Sequence, residues 1–198
     1  SRGLVGSEMC IRDSVYLMWP ETEQKLQGLM DDMTNRASDY ERLVQFGLRV
    51  HVIVRETEKE ARAYANNLLS KLDLDLGKEI RKRAQDAASL GVARQAMLRE
   101  EADNQHYVEP NLWTGIGLAR SGCGAAIVGD PDQVLAKINR YMDMGIRSFI
   151  FSGYPHHQEC ELFAKYVLPQ IKTVSLPEVF GRRPKKTPNS PLGNGFRK

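Results

Sequence analysis

The chain of 198 residues is short of several things, and each shortage closes off a class of function. It has three cysteines, Cys10, Cys123 and Cys160. They are too few and too scattered for a disulfide framework, or for a zinc site built on paired C-x-x-C spacing. A reducing cytoplasm is the compartment this predicts. No stretch approaches the ~18 to 20 consecutive apolar residues that a spanning helix needs, so no membrane partner is expected. Histidine is scarce as well: adjacent His156 and His157 point apart and lack carboxylate–histidine spacing, so no metal is expected. A spread excess of positive charge is also missing. Residues 176–198 hold six basic residues against one acid, or +5, which leaves −2 of the total +3 for the body. Such a short basic run, without interleaved aromatics on a folded face, is a weak signal for nucleic acid, and none is expected as a partner.

What is present is an ordinary globular composition, 41% hydrophobic and 27% charged, in a length that suits one domain. Residues 1–14, "SRGLVGSEMCIRDS", show no period of 2 or 3.6 and resemble a translated adapter or linker scar more than a targeting peptide. Residues 173–198, with Pro177, Pro184, Pro188 and Pro191, have the composition of a solvated, disordered tail. Between them lies a folded unit over 15–172.

Within that unit, strands and helices alternate. The strand "VYLMW" precedes a helix with Leu26, Leu29, Met30 and Met33 at helical spacing. "FGLRVHVIVRET", residues 46–57, is a strand that leads into a helix capped by Thr57 with Glu60 three residues on. Residues 73–110 read as a polar helical insertion with no clear strand. "AAIVG" is a third strand, and in the helix after it Asp130 caps, Pro131 takes the first position, Gln133 completes a capping box and Gly145 marks the end. "SFIFSG" is a fourth strand, followed by a helix over 159–171.

Repeated βα units imply a parallel sheet covered by helices. The strand at 46–54 places Phe46, Leu48, Val50, Val52 and Val54 on one face, and Gly47, Arg49, His51, Ile53 and Arg55 on the other. An open doubly wound sheet favours hydrophobic residues on both faces of its central strands. A (β/α)8 barrel instead places polar groups inward near its C-terminal mouth. Arg49 and His51 therefore favour the barrel, and four βα units make half of one.

"VYLMWPE", "FGLRVHVIVRET", and "NLWTGIGLARSGCGAAIVGDPDQV" through "FIFSGYPH" together resemble the flavin-dependent alkanesulfonate monooxygenases of the bacterial-luciferase-like superfamily. The resemblance covers residues 15–168. It implies an α/β fold, the C-terminal half of a (β/α)8 TIM barrel with a helical insertion at about 73–110. It also implies a cytoplasmic two-component enzyme in which a separate NAD(P)H-dependent reductase supplies reduced FMN. O2 then oxidises the carbon bearing the sulfonate of an alkanesulfonate, giving aldehyde and sulfite, and the full-length protein is a homo-oligomer. By the same resemblance Arg49, His51, Arg120 and Tyr154 are catalytic, and Arg49, Arg120 and Trp19 bind substrate. Arg120 lies in a closing loop, and most flavin contacts belong to the other half of the barrel, so no cofactor-binding residue is assigned here.

The chemistry agrees with those roles. A sulfonate stays ionised at physiological pH, and guanidinium offers it fixed charge with several donors. His51 and Tyr154 are groups able to handle a proton. By spacing alone, Arg49 and His51 are a polar edge-strand face, "GIGLARSG" is a flexible loop, Trp19 and Tyr154 at strand ends are as often packing caps as ligand contacts, and Cys160 packs on its helix. Alternatives are a sister enzyme acting on an alkane, a sulfone or an aminopolycarboxylate, or an inactive half barrel.

Overall fold

The computed structural model describes residues 15–73, 75–77, 79, 90–119 and 124–173. The adapter-like segment, Arg120, Cys123 and the basic tail beyond Thr173 lie outside them. The elements run β1 (Val15–Met18), α1 (Glu23–Ser38), β2 (Gln45–Val54), α2 (Glu58–Leu69), α3 (Leu90–Glu100), β3 (Tyr107–Glu109), β4 (Leu112–Trp113), α4 (Ile116–Ala119), β5 (Ala126–Gly129), α5 (Pro131–Asp143), β6 (Ile146–Ser152) and α6 (His156–Tyr166), closed by a 3-10 turn over Leu168–Gln170. All four expected strands are present within two residues of their predicted limits. The fold is the expected one, an α/β sheet curled as half a barrel with helices against it.

β2 organises the sheet. β1 pairs parallel with Gln45–Leu48 and β5 with His51–Val54, sharing one edge, while β6 pairs parallel with Phe46–His51 along the other. β5 and β6 therefore flank β2 instead of lying side by side. A four-residue β1 leaves the C-terminal half of its edge for β5 to occupy. β3 and β4 form an antiparallel hairpin on the far side of β5. β3 falls where the sequence shows no clear strand, since three residues are too few to display a period of two. Asn111, at φ 64°, turns the hairpin and donates from Nδ2 to the Val128 carbonyl at 2.9 Å.

The alternation of β2 divides the core. Phe46, Leu48, Val50, Val52 and Val54 are buried with Leu26 and Met30 of α1 and with Val134, Ile138 and Tyr141 of α5. On the opposite face Ile53 packs with Ala61 and Ala65 of α2, and with Trp113, Ile116, Ala126 and Val128. The second face is thus closed by α2 and α4 at its C-terminal end and open toward Arg49.

Local signals set the helix limits. Thr57 and Glu60 make a reciprocal capping box, as do Asp130 and Gln133 with Pro131 beside them. Thr22 takes the N-cap of α1 without a side-chain bond. α6 starts at His156, three residues earlier than expected, with Pro155 at its N-cap. The glycine-rich segment begins as the single-turn helix α4, not as a loop. No helix among the described residues is long and apolar enough to cross a membrane.

Candidate active site

Arg49 and His51 lie two residues apart on the second face of β2, about 7 Å along the strand. The register of β1, with Met18 opposite Leu48, brings the next residue, Trp19, beside Arg49. The guanidinium carbon sits 5.8 Å from the indole centroid, within cation–π range. Both side chains are exposed, and Arg49 makes no ion pair among the described residues. Its neighbour across β6, Ile150, is 48% exposed, and Leu17 on β1 is 42% exposed.

His51 is buried. Its register partners are small, Ala126 on β5 and Ser152 on β6, and the ring of Tyr154 stacks on it at 5.6 Å with 19° between planes. Tyr154 meets His156 edge-on at 4.6 Å. Four of the five predicted site residues therefore form two adjoining pairs, Arg49 with Trp19 and His51 with Tyr154. The fifth, Arg120, is outside the described residues.

Behind these pairs lies a layer of polar residues that motif spacing does not reveal. Arg55 makes a bidentate ion pair with Glu159, its Nη2 2.6 Å from Oε1 and its Nη1 3.1 Å from Oε2. Its guanidinium lies 3.7 Å over the Tyr64 ring, and the Tyr64 hydroxyl donates to the Tyr154 carbonyl at 3.0 Å. Burial, together with the charge of Glu159, holds the Tyr64 hydroxyl above its ordinary pKa, so it remains a donor. Arg55 was visible as a polar position at the end of a buried strand, whereas Glu159 had no sequence signal beyond a place in a helix. The hydroxyls of Ser148 and Ser152 are buried without a hydrogen-bond partner among the described residues, on the strand beside Gly47 and His51. Orphaned donors of this kind call for a polar group to satisfy them. Cys160, expected to pack on its helix, is exposed and free, because α6 turns that side outward. No group of three or more His, Cys, Asp or Glu among the described residues is arranged to hold a metal.

Taken together, the face offers a fixed cation beside an aromatic surface, then an imidazole and a phenol in contact. That set can hold an anion and move a proton at a neighbouring atom.

Sulfoquinovose monooxygenase of Agrobacterium fabrum is 58% identical over 191 residues, covering 96% of this chain and 50% of its own length. That of Novosphingobium aromaticivorans is 62% identical over 157 residues, covering 79% of this chain and 43% of its own. The chain thus spans about half the length of the curated relatives it matches. The crystal structure of long-chain alkane monooxygenase (LadA) superposes with a TM-score of 0.52 over 99% of this chain and 45% of that one, and its 16% identity makes this a likeness of fold alone. Residues 12–148 match the luciferase-like monooxygenase family, to which this chain therefore belongs.

Proposed function

We propose that this chain carries the arginine face of a reduced-FMN monooxygenase that cleaves the carbon–sulfur bond of a sulfonated sugar. The observation that carries it is Arg49, an exposed guanidinium without an ion pair among the described residues, set between the Trp19 indole and the His51–Tyr154 stack. Two relatives named for sulfoquinovose, a sulfonate sugar, favour a sugar over the simple alkanesulfonate of the sequence reading. Trp19 suits such a substrate, because an indole face packs against the apolar face of a sugar ring.

The residues present fit a flavin. Leu17 and Ile150 expose apolar surface on the Arg49 face for a flat ring system, and Arg49 supplies a cation for its polar edge. Reduced FMN, when bound, supplies two electrons to O2. The overall reaction balances as R–CH2–SO3⁻ + O2 + FMNH2 giving R–CHO + HSO3⁻ + FMN + H2O: the C–S bond breaks, one oxygen atom ends in the aldehyde and the other in water. Arg49 holds the sulfonate and stabilises the charge that sulfite carries away. His51 and Tyr154 hold a proton beside the carbon that loses it. Trp19 and the closed end of the face, around Ile53 and Trp113, exclude water. A separate NAD(P)H-dependent reductase delivers the reduced flavin in the cytoplasm to a homo-oligomer of the full-length protein. Arg120 is assigned as a second cation for the sulfonate.

The test uses the full-length protein with a flavin reductase, following sulfite with a thiol-reactive dye. Sulfoquinovose is expected to release sulfite faster than octanesulfonate. Oxidation of a neutral alkane with no sulfite from either sulfonate overturns the proposal in favour of a sister activity.

A further inference from the structure

The His51–Tyr154 stack rests on three elements that meet under the Tyr154 backbone. Arg55, just beyond β2, donates through both terminal nitrogens to the Glu159 carboxylate and also to the Val54 carbonyl at 2.7 Å. Glu159, in the first turn of α6, is 4% exposed. Tyr64 of α2 lies with its ring under the Arg55 guanidinium and ties its hydroxyl to the Tyr154 carbonyl. Gly153, between β6 and Tyr154, completes the arrangement: a Cβ there would lie 2.7 Å from Glu159 Cγ and 3.2 Å from the Val52 carbonyl. Only the absence of a side chain lets Glu159 approach the strand end this closely.

A buried ion pair is a poor device for stability, since the cost of desolvating both charges offsets most of their attraction. It does fix geometry well. The bidentate fork leaves Arg55 one orientation, that orientation sets the Tyr64 ring beneath it, and the Tyr64 hydroxyl sets the height of the Tyr154 backbone. Reacting groups must be held to within ~0.5 Å by a supporting shell of such contacts. We propose that Arg55, Glu159 and Tyr64 are positioning residues whose joint role is to hold the Tyr154 ring against His51. The inference rests on the proposed function for its catalytic meaning, though not for its geometry.

The experiment separates the two. The chain is labelled at histidine and tyrosine, and the nuclear Overhauser cross-peak between the His51 and Tyr154 rings is recorded with the ring-current shift of His51. Tyr64→Phe removes one hydroxyl and keeps the ring, so the fold is retained. It is expected to reduce the cross-peak at least twofold and to move the His51 resonance toward its unstacked position. Glu159→Gln is expected to do the same, and if that variant does not fold, Tyr64→Phe alone decides. Arg140→Gln, which weakens an ion pair elsewhere, is expected to leave the cross-peak unchanged. An unaltered cross-peak and shift in folded Tyr64→Phe, or an equal loss in Arg140→Gln, overturns the positioning role. In the full-length enzyme Tyr64→Phe is expected to lower kcat about tenfold with little change in KM. If that enzyme releases no sulfite from any sulfonate, the substrate assignment falls while the ring measurement still decides the positioning.

Discussion

At the scale of single residues, the site divides labour between charge and stacking. Arg49 projects into the open with a planar fork, and lysine at that position would retain the charge while losing the bidentate fork that the proposed sulfonate-binding role requires. In the full-length enzyme Arg49→Lys is therefore expected to raise KM for the sulfonate about tenfold or more, with kcat changed less, measured by initial rates of sulfite release. Arg120→Ala removes the second cation of the proposed site. It is expected to lower sulfite release by more than ~10²-fold, the scale for losing one charge-stabilising donor, while binding of reduced flavin stays largely intact. Wild-type sulfite yield from Arg120→Ala would remove it from the site.

At the scale of elements, stability depends on how each helix starts and stops. Thr57 receives the Glu60 amide at 3.2 Å while the Glu60 side chain accepts from the Thr57 amide at the same distance, so two otherwise orphaned donors at the head of α2 are satisfied. Thr57→Ala is expected to cost about 1 kcal/mol. For a chain of this size that lowers the melting temperature by about 2–4 °C, measured by circular dichroism. Because α2 carries Tyr64, the loss also reaches the site. Gly145 illustrates the opposite constraint. It turns the chain from α5 into β6 at φ 108°, and a Cβ there would meet only Met30 Cε, at 3.4 Å. Space is adequate and backbone strain is not, so Gly145→Ala is expected to cost about 1–3 kcal/mol, seen as a lower urea midpoint. An unchanged midpoint would mean that the turn relaxes without strain.

For the molecule as a whole, one ionic cluster ties distant parts together. Lys137, fully buried on α5, donates to Glu23 at the head of α1 at 2.6 Å and to Glu109 of β3 at 2.5 Å, while Arg140 also reaches Glu23 at 2.8 Å. Glu109 in turn accepts from the Glu23 amide at 3.1 Å. Burial by itself would raise the Glu23 carboxyl, yet the hydrogen bonds and charges of Lys137 and Arg140 outweigh it and hold the group below its ordinary pKa. A carboxyl lowered on folding stabilises the native state above its unfolded pKa, and that contribution disappears as pH falls through the folded value. Melting temperature is therefore expected to fall as pH is lowered below about 4.5, and Glu23→Gln is expected to flatten that part of the profile. Among the described residues, Lys137→Met leaves Glu109 with the Glu23 amide as its hydrogen-bond partner. It is expected to destabilise by about 3–5 kcal/mol, the scale for breaking a buried pair from one side. Less than 1 kcal/mol in a denaturant titration would mean that the cluster rearranges around the methionine.

Much of this was legible along the chain, because it depends on neighbours in sequence. Period-two alternation in β2 separates Leu48, Val50 and Val52 from Arg49 and His51, and the residue patterns at Thr57 and Asp130 mark helix starts, whatever lies across the sheet. The resemblance added Trp19 and Tyr154, and the structure brings both to β2. What the sequence could not specify is which elements distant along the chain come together. Arg55 and Glu159 are 104 residues apart and Lys137 and Glu23 are 114 apart, and no periodicity links positions at that range. Lys137 has the composition of a surface position on an amphipathic helix and is buried only because two carboxylates from elsewhere converge on it. Local backbone preference and side-chain alternation thus determined the elements and their faces. The edges of β2 taken by β5 and β6, and the polar partners assembled behind His51 and Tyr154, were decided by tertiary packing, since buried charges find each other only once the sheet has closed around them.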